Sequence, residues 1–303
     1  MSNINRILCP VDFSESSAHA IEQAAAVAGW YKAQLTALYV YPPLFMPVPG
    51  LPAPADRVSA SERQRVRDRA ITFVQPARAG VIDCEVVVDV GQPAALILER
   101  ATSLPADLIV MGTHGASGFE HLLLGSVTEK VLRKATCPVL TVPPRAHATS
   151  QFPFKRVLCA VDFSEWSSAA LELASSLAQE SGAALDLLHV IEWPWDEPPP
   201  PVFAELPPEQ AAALTEFRRY LVKCATDRLE SLASDGMRRR CVVTVRIAHG
   251  KPHVEILRIA ADDGVDLIVL GVHGRSPIDL TLFGSTTNQV VRRATCPVLT
   301  LRR

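Results

Sequence analysis

The chain lacks the features that mark several common classes of protein. Its 303 residues carry 30 Lys and Arg against 32 Asp and Glu, so no basic excess favours nucleic acid or an anionic membrane. No apolar run approaches the roughly 20 residues that a membrane span needs, and the first residues form no apolar signal region. We therefore expect a cytoplasmic protein without nucleic-acid or membrane partners.

Cysteine is too scattered to predict a metal site or a disulfide framework. The seven cysteines include no Cys-x-x-Cys pair, and neither half of the chain supplies a His/Cys/Asp cluster at ligand spacing. Cys9, Cys137, Cys159 and Cys296 lie in or beside apolar strand patterns. Buried, reduced thiols are therefore the favoured interpretation over a redox role.

Two familiar phosphate-binding motifs are missing as well. No glycine loop is followed by Gly-Lys-Ser/Thr, and no Gly-x-Gly-x-x-Gly follows the first apolar strand. The chain has instead the pattern Gly-x2-Gly-x9-Gly-Ser, which begins once at Gly112 and again at Gly271. This recurrence, in a chain whose length suits about two domains, indicates a tandem repeat.

Each glycine pattern stands between a strand and a helix. Residues 108–111 and 267–270 are apolar runs typical of buried parallel strands, and a helical pattern follows each second glycine. Backbone N–H groups and the positive helix end at such a loop suit a phosphate. The Ser126 and Thr128 hydroxyls could donate to phosphate or cap the helix, and Gly125 and Gly284 are expected to have positive φ. Ordinary loop glycines with a capping serine are the alternative interpretation.

The glycine pattern has the same neighbours in both halves. Val-Asp-Phe-Ser-Glu precedes it and Ala-Thr-Cys-Pro-Val-Leu-Thr follows it, and together these motifs resemble the ATP-binding branch of the universal stress protein family. The resemblance covers nearly the whole chain as two domains, residues 1–145 and 153–303. It implies an α/β fold in which each domain is a five-stranded parallel sheet of order 3-2-1-4-5 with helices on both faces. The alternation of strands and helices favours the same class.

An aspartate ends the first strand of each half, at Asp12 and Asp162. With a glutamate three residues later, each could form a capping box at the helix start, and the residues alone leave this and a ligand role open. The resemblance implies the ligand role, in which the carboxylate accepts hydrogen bonds from adenine or ribose. It also implies that the backbone of Val40 and Val190 meets the adenine.

The resemblance implies one nucleotide site per half. The first site comprises Asp12, Val40, Gly112, His114, Gly115, Gly125, Ser126, Val127 and Thr128, and the second Asp162, Val190, Gly271, His273, Gly274, Arg275, Gly284, Ser285, Thr286 and Thr287. The ligand would be ATP, or ADP or AMP, and any magnesium would be carried by the phosphates. Many family members have a basic residue at the position of Arg275, and Ala116 replaces it in the first half, so we expect the second site to bind more tightly.

The sequence offers no evident general base, because His114 and His273 have no orienting partner that the pattern reveals. We expect a stress-response sensor or regulator that binds one ATP per half. A weak ATPase or adenylyl-transferring enzyme, and an interaction scaffold with incidental nucleotide binding, are the alternatives. Proline-rich segments at residues 42–54 and 194–208 are predicted to be surface excursions near the site.

The last strand of each half, residues 139–142 and 298–301, would lie at a sheet edge with unpaired backbone groups. Universal stress proteins with one domain commonly dimerise along this edge. The resemblance therefore implies that the two edges pair within the chain as a pseudo-dimer, while an unknown protein partner and a further homodimer stay open.

Overall fold

The computed structural model describes residues 4–41, 59–78, 84–115, 124–144, 153–192, 207–272 and 284–302. Strands and helices alternate through both halves of the chain. The first half contains β1 (Arg6–Val11), α1 (Glu15–Tyr31), β2 (Gln34–Tyr41), α2 (Ala60–Arg78), β3 (Cys84–Val90), α3 (Pro93–Ser103), β4 (Leu108–Gly112), α4 (Ser126–Lys134) and β5 (Val139–Val142). The second contains β6 (Arg156–Ala160), α5 (Glu165–Ser181), β7 (Ala184–Ile191), α6 (Pro208–Leu232), α7 (Asp235–Arg238), β8 (Val243–His249), α8 (Pro252–Asp262), β9 (Leu267–Gly271), α9 (Ser285–Arg293) and β10 (Val298–Leu301).

Local sequence explains where several helices begin and end. Proline occupies the first turn of α3 and of α8, where a missing N–H costs nothing. Helix α1 ends on Lys32 in the left-handed conformation, at φ 55°, and α5 ends on Gly182 at φ 67°. Glycine is the residue that this C-cap conformation favours, so the two halves end equivalent helices with different chemistry.

All ten strands join in one sheet of order β3-β2-β1-β4-β5-β10-β9-β6-β7-β8. Strand neighbours within each half are parallel and follow the predicted order 3-2-1-4-5. The α/β fold class is therefore confirmed. The two five-stranded sheets join at their β5 and β10 edges into one continuous sheet.

The seam between the halves is an antiparallel pair of β5 and β10. Leu140 lies opposite Leu299, with Val139 opposite Thr300 on one side and Thr141 opposite Val298 on the other. The Thr141 hydroxyl donates to the Val298 carbonyl at 3.1 Å, and the Thr300 hydroxyl donates to the Val139 carbonyl at 3.2 Å. The expected pairing of the two edges within the chain is confirmed, and its bonds are symmetric about the pair of leucines.

Helices cover both faces of this sheet and bury two apolar layers. One layer packs α1, α2, α5 and α6 against the sheet, and the other packs α3, α4, α8 and α9. Cys9, Cys159 and Cys296 are buried as predicted, whereas Cys137 is only partly buried. Burial raises the pKa of Cys159 and Cys296 to about 12, so these thiols stay protonated at neutral pH. Among the helices in the described ranges, none is long and apolar enough to cross a membrane.

Candidate functional site

The predicted site residues meet where the strand order reverses. Strand β1 lies between β2 and β4, and the chain leaves β1 at Asp12 and β4 at Gly112 on the same carboxyl edge of the sheet. A Cβ atom placed on Gly115 would lie 2.9 Å from Asp12 Oδ2, so the glycine loop and the carboxylate are in contact. In doubly wound sheets this crevice is where ligands bind.

Asp12 supports the start of α1 without being its cap. The cap is Ser14, whose hydroxyl accepts from the Ser17 N–H at 3.1 Å. Asp12 Oδ1 accepts from the Ser14 N–H at 3.1 Å and from the Ser14 hydroxyl at 2.5 Å. The capping-box interpretation is therefore wrong, because the helix already begins at Glu15. One carboxylate oxygen holds the cap, and the other faces the glycine loop.

The second half repeats this arrangement. Asp162 Oδ1 accepts from the Ser164 N–H at 3.0 Å and from the Ser164 hydroxyl at 2.6 Å, and Ser164 caps α5 through the Ser167 N–H. The same carboxylate-to-cap contact thus holds the aspartate in place at both edges.

Between the aspartate and the cap lies a residue that sequence reasoning missed. Phe13 has a φ of 64° and Phe163 a φ of 65°, which is the left-handed region that a bulky side chain rarely adopts. A residue held there costs on the order of 1 kcal/mol or more and persists only when its surroundings fix it. Both halves adopt the same strained turn, and it allows the Asp side chain to reach the Ser cap two residues later.

Aromatic packing holds the turn in the first half. The Phe13 ring stacks on Tyr39 with centroids 4.5 Å apart and meets Phe73 edge-on at 5.4 Å. The Arg69 guanidinium lies 4.2 Å from the centre of the same ring. Burial raises the pKa of Tyr39 as this stack covers its phenol.

The equivalent stack in the second half replaces tyrosine with histidine. Phe163 packs against the His189 ring at 4.4 Å, and the Arg228 guanidinium lies 4.3 Å from the Phe163 centroid. His189 Nδ1 is 2.6 Å from the Val161 carbonyl, so the imidazole is tied to the end of the first strand of this half. The sequence contains a signal for both stacks, because the aromatic and cationic residues recur in the second half. Phe13, Tyr39 and Arg69 correspond to Phe163, His189 and Arg228.

Gly112 and Gly271 serve the packing of helix on strand. A Cβ on Gly112 would lie 2.9 Å from the Ser16 carbonyl carbon, and one on Gly271 would lie 2.9 Å from that of Trp166. Real Cβ atoms do not approach backbone so closely, so only glycine lets β4 and β9 end against the first turns of α1 and α5. These two glycines therefore let each strand end directly against the first turn of the neighbouring helix, which fixes where the glycine loop begins.

Gly125 and Gly284 do not have the positive φ expected of them. Their φ values are −57° and −53°, which any residue can adopt. The Gly125 N–H donates to the Thr113 carbonyl at 2.9 Å, and the Gly284 N–H donates to the Val272 carbonyl at 3.1 Å. A Cβ on Gly125 would lie 3.3 Å from the Thr113 oxygen and 3.7 Å from the Gly115 nitrogen. The reason for glycine here is therefore a close approach of the loop to the helix start.

Helices α4 and α9 begin without a side-chain cap in the part of the chain that the structure describes. The Thr128 hydroxyl, predicted to bind phosphate or cap the helix, instead donates to the Gly112 carbonyl at 2.9 Å and is buried. Thr287 donates to the Gly271 carbonyl at the same distance. Ser126 and Ser285 are exposed on the first turn, where Val127 and Thr286 are half-buried. The first N–H groups of each helix thus face the carboxyl edge.

His114 and Val40 complete the described part of the first site. The Thr113 hydroxyl lies 2.8 Å from His114 Nδ1, so the imidazole has an orienting neighbour that the sequence pattern did not reveal. Val40 lies one residue beyond the last β2 residue that pairs with β1, which is Tyr39 opposite Val11. The Val40 backbone therefore lies next to Asp12, beside the crevice at the carboxyl edge of the sheet.

Val190 takes the equivalent place in the second half, two residues beyond Leu188, which pairs with Ala160. His273, Gly274 and Arg275 lie outside the described residues, as do Ala116 and most of both proline-rich segments. Within the described ranges no group of three His, Cys, Asp or Glu side chains could hold a metal ion.

Each half is therefore a doubly wound α/β domain with a carboxylate and an uncapped helix start at its switch point, and in the first half Gly115 lies close to both. The model of the universal stress protein family matches residues 3–143 and again residues 153–302. The chain belongs to this family and contains its domain twice.

Known proteins are similar to one half or to the whole chain. Universal stress protein MJ0531 of Methanocaldococcus jannaschii is 36% identical over 139 residues, which cover 45% of this chain and 81% of that protein. A universal stress protein of Mycolicibacterium smegmatis is 28% identical over 306 residues and covers 98% of this chain and 96% of its own length. The crystal structure of a universal stress protein from Archaeoglobus fulgidus superposes with a TM-score of 0.67 at 25% identity, covering 100% of this chain and 97% of that one. The tandem arrangement therefore extends to relatives of the same length.

Proposed function

We propose that each half binds one adenine nucleotide, with ATP as the favoured ligand, and that the protein acts as a sensor or regulator in a stress response. The observation that carries the proposal lies in the first half, where Gly115 is close both to Asp12 Oδ2 and to the uncapped start of α4. In the second half, α9 starts without a side-chain cap in the same way, and Asp162 follows β6 as Asp12 follows β1. An uncapped helix start attracts phosphate, and a carboxylate accepts hydrogen bonds from ribose hydroxyls or an adenine amino group. The two groups suit opposite ends of one nucleotide.

The proposed binding mode follows from these positions. The phosphates lie over the first turn of α4, where the Ser126 and Val127 N–H groups and the Ser126 hydroxyl donate to them. Asp12 Oδ2 accepts from the adenosine end, and the backbone of Val40 borders the base. In the second half Ser285, Thr286, Asp162 and Val190 take these roles, with His273, Gly274 and Arg275 as proposed phosphate contacts. Any magnesium is held through the phosphates.

The proposed signal is binding and release of the nucleotide. In the first half the Thr113 hydroxyl lies 2.8 Å from His114 Nδ1 and orients the imidazole within the glycine loop, beside the proposed phosphate position.

The test is to identify and then measure the ligand. Mass spectrometry of small molecules released from freshly purified protein should find adenine nucleotide. Calorimetry of stripped protein with ATP, ADP and AMP should show up to two sites, the tighter one in the second half. Absence of binding to all three nucleotides at about millimolar concentration, which corresponds to roughly −4 kcal/mol, would falsify the proposal.

A further inference from the structure

Helix α6 presents an apolar stripe to solvent. It spans Pro208–Leu232, and its inner side packs on the sheet through residues such as the fully buried Leu229. On its outer side the side chains of Phe217 and Tyr220 are 54% and 62% exposed, and Ala213 and Cys224 are exposed as well. The spacing of four, three and four residues puts all four side chains on one face of the helix, as at the seam of a coiled coil.

The stripe is not something that the domain needs in order to fold. Arg69 and Arg228 occupy the same place over the rings of Phe13 and Phe163, so helix positions in the two halves correspond at an interval of 159 residues. By this correspondence Tyr220 stands where the first half has Ser61, and Cys224 where it has Arg65. The same helix is thus polar at these positions in α2 and apolar in α6. Two exposed aromatic side chains one turn apart on α6 indicate a contact surface.

The order of the residues matches a second copy of the same helix running in the opposite direction. When Phe217 of one copy lies opposite Tyr220 of the other, Ala213 lies opposite Cys224, so large side chains meet in the centre and small ones at the ends. Along one flank Glu216 comes next to Lys223 of the second copy, an attractive pair that the two-fold axis repeats. A parallel pair would instead place Glu216 near the apolar Leu221.

We propose that α6 mediates an isologous homodimer in which two copies of the chain pack these helices antiparallel through Ala213, Phe217, Tyr220 and Cys224. This contact is separate from the β5–β10 seam, which is satisfied within each chain. A contact of about three helical turns is smaller than the roughly 1,200 Å² of a standard interface, so the dimer is weak and depends on concentration. Glu209 and Asp227 of the second copy approach at the two ends of the contact, and their repulsion weakens it further.

The first test measures the mass of the full chain by sedimentation velocity from about 5 to about 500 µM, a range that brackets weak dimers. Wild type should change from monomer to dimer across this range. Tyr220→Glu should raise the dissociation constant by about thirtyfold or more, because it places a charge at the aromatic centre. Ser61→Glu, the matched change on α2, should leave the dissociation constant unchanged. Asp227→Lys should tighten the dimer by about fivefold. A wild type that stays monomeric throughout overturns the proposal and leaves the stripe for a different partner helix.

The second test fixes the orientation of the helices. Ala213→Cys in the native background places a cysteine opposite Cys224 of the second copy, so mild oxidation should yield a disulfide-linked dimer. Cys224→Ser in the same chain should abolish the link. Wild type, with Cys224 at one end of the stripe, should not crosslink. Efficient crosslinking of wild type through Cys224 would indicate parallel helices and overturn the antiparallel arrangement.

Discussion

The two halves of the chain differ least at the carboxyl edge of the sheet and most on their outer helices. Both repeat the Asp-to-Ser cap contact, the left-handed Phe and the Arg above its ring. They diverge beneath that ring, where Tyr39 corresponds to His189, and along α2 and α6. An internal repeat places the same fold in two contexts within one molecule. The contacts that both halves share are those that hold the aspartate at the carboxyl edge of the sheet. The positions that differ, such as the apolar stripe of α6, belong to surfaces that serve one half only.

The largest expected effect is the separation of the two halves at the β5–β10 seam. Val139→Asp or Val298→Asp puts a carboxylate at a position that is 2% or 1% exposed, between strands of the two halves. Such an unpaired buried charge costs about 3 to 5 kcal/mol, so β5 and β10 should separate. Small-angle scattering should report a longer particle with unchanged helical content by circular dichroism. Thr141→Ser keeps the hydroxyl bond and is the control, and a compact particle in both Asp variants would contradict the expectation.

The second-largest expected effect is on nucleotide affinity and distinguishes the proposed site of the first half from that of the second. Gly125→Glu should weaken nucleotide binding in the first half by at least about a hundredfold, because its carboxylate occupies the phosphate position at the helix start. Gly284→Glu should do the same only in the second half. Calorimetry of each variant with ATP would measure the affinity of the remaining site.

Alanine at the same positions tests the revised role of these glycines. A φ of −57° suits alanine, and its Cβ would lie 3.3 Å from the Thr113 oxygen, which a shift of a few tenths of an ångström relieves, so Gly125→Ala should lose only a few-fold in affinity. A loss as large as that of the glutamate variant would show that shape alone, and not charge, controls the position.

A smaller effect tests the strained turn. Phe13→Ala and Phe163→Ala should each destabilise the fold by about 2 to 4 kcal/mol, through lost packing and lost contact with the arginine. Glycine removes the same ring but tolerates the left-handed backbone. We therefore expect Phe13→Gly and Phe163→Gly to be about 1 kcal/mol more stable than the alanine variants in urea unfolding. The reverse ranking would mean that neither turn has positive φ in solution.

The smallest effect concerns the ends of α1 and α5. Lys32→Gly should stabilise the first half by about 0.5 to 1 kcal/mol, because Lys32 has the left-handed conformation that Gly182 adopts without cost. Gly182→Lys should lose a similar amount, since a Cβ at Gly182 meets nothing within 4 Å and only the backbone opposes it. Equal midpoints of thermal unfolding for both variants and wild type would refute this account.

Much of the fold could be predicted because it depends on patterns within a few residues. The apolar runs at residues 108–111 and 267–270 predicted buried strands, and the structure has β4 and β9 there. The strand order and the seam followed from the family resemblance and were confirmed. The resemblance also led to Asp12 and the glycine loop, which the structure places in contact.

The errors arose where a residue's role depends on a distant neighbour. A glycine required for φ and one required for space look alike in sequence, and what distinguishes Gly125 is the close approach of the Thr113 carbonyl, twelve residues earlier in the chain. The capping-box interpretation made Asp12 the cap, whereas the left-handed backbone of Phe13 sets Asp12 apart from the actual cap, Ser14. That backbone is in turn held by Tyr39 and Arg69, which lie tens of residues further along the chain.

The antiparallel seam has a consequence for how the molecule meets other molecules. Because β5 and β10 run in opposite directions, every strand of the second half points opposite to those of the first. The edge beside Asp12 and the edge beside Asp162 therefore lie at opposite ends of the strands of one continuous sheet. Nucleotides bound as proposed would therefore enter the two halves from opposite ends of the strands.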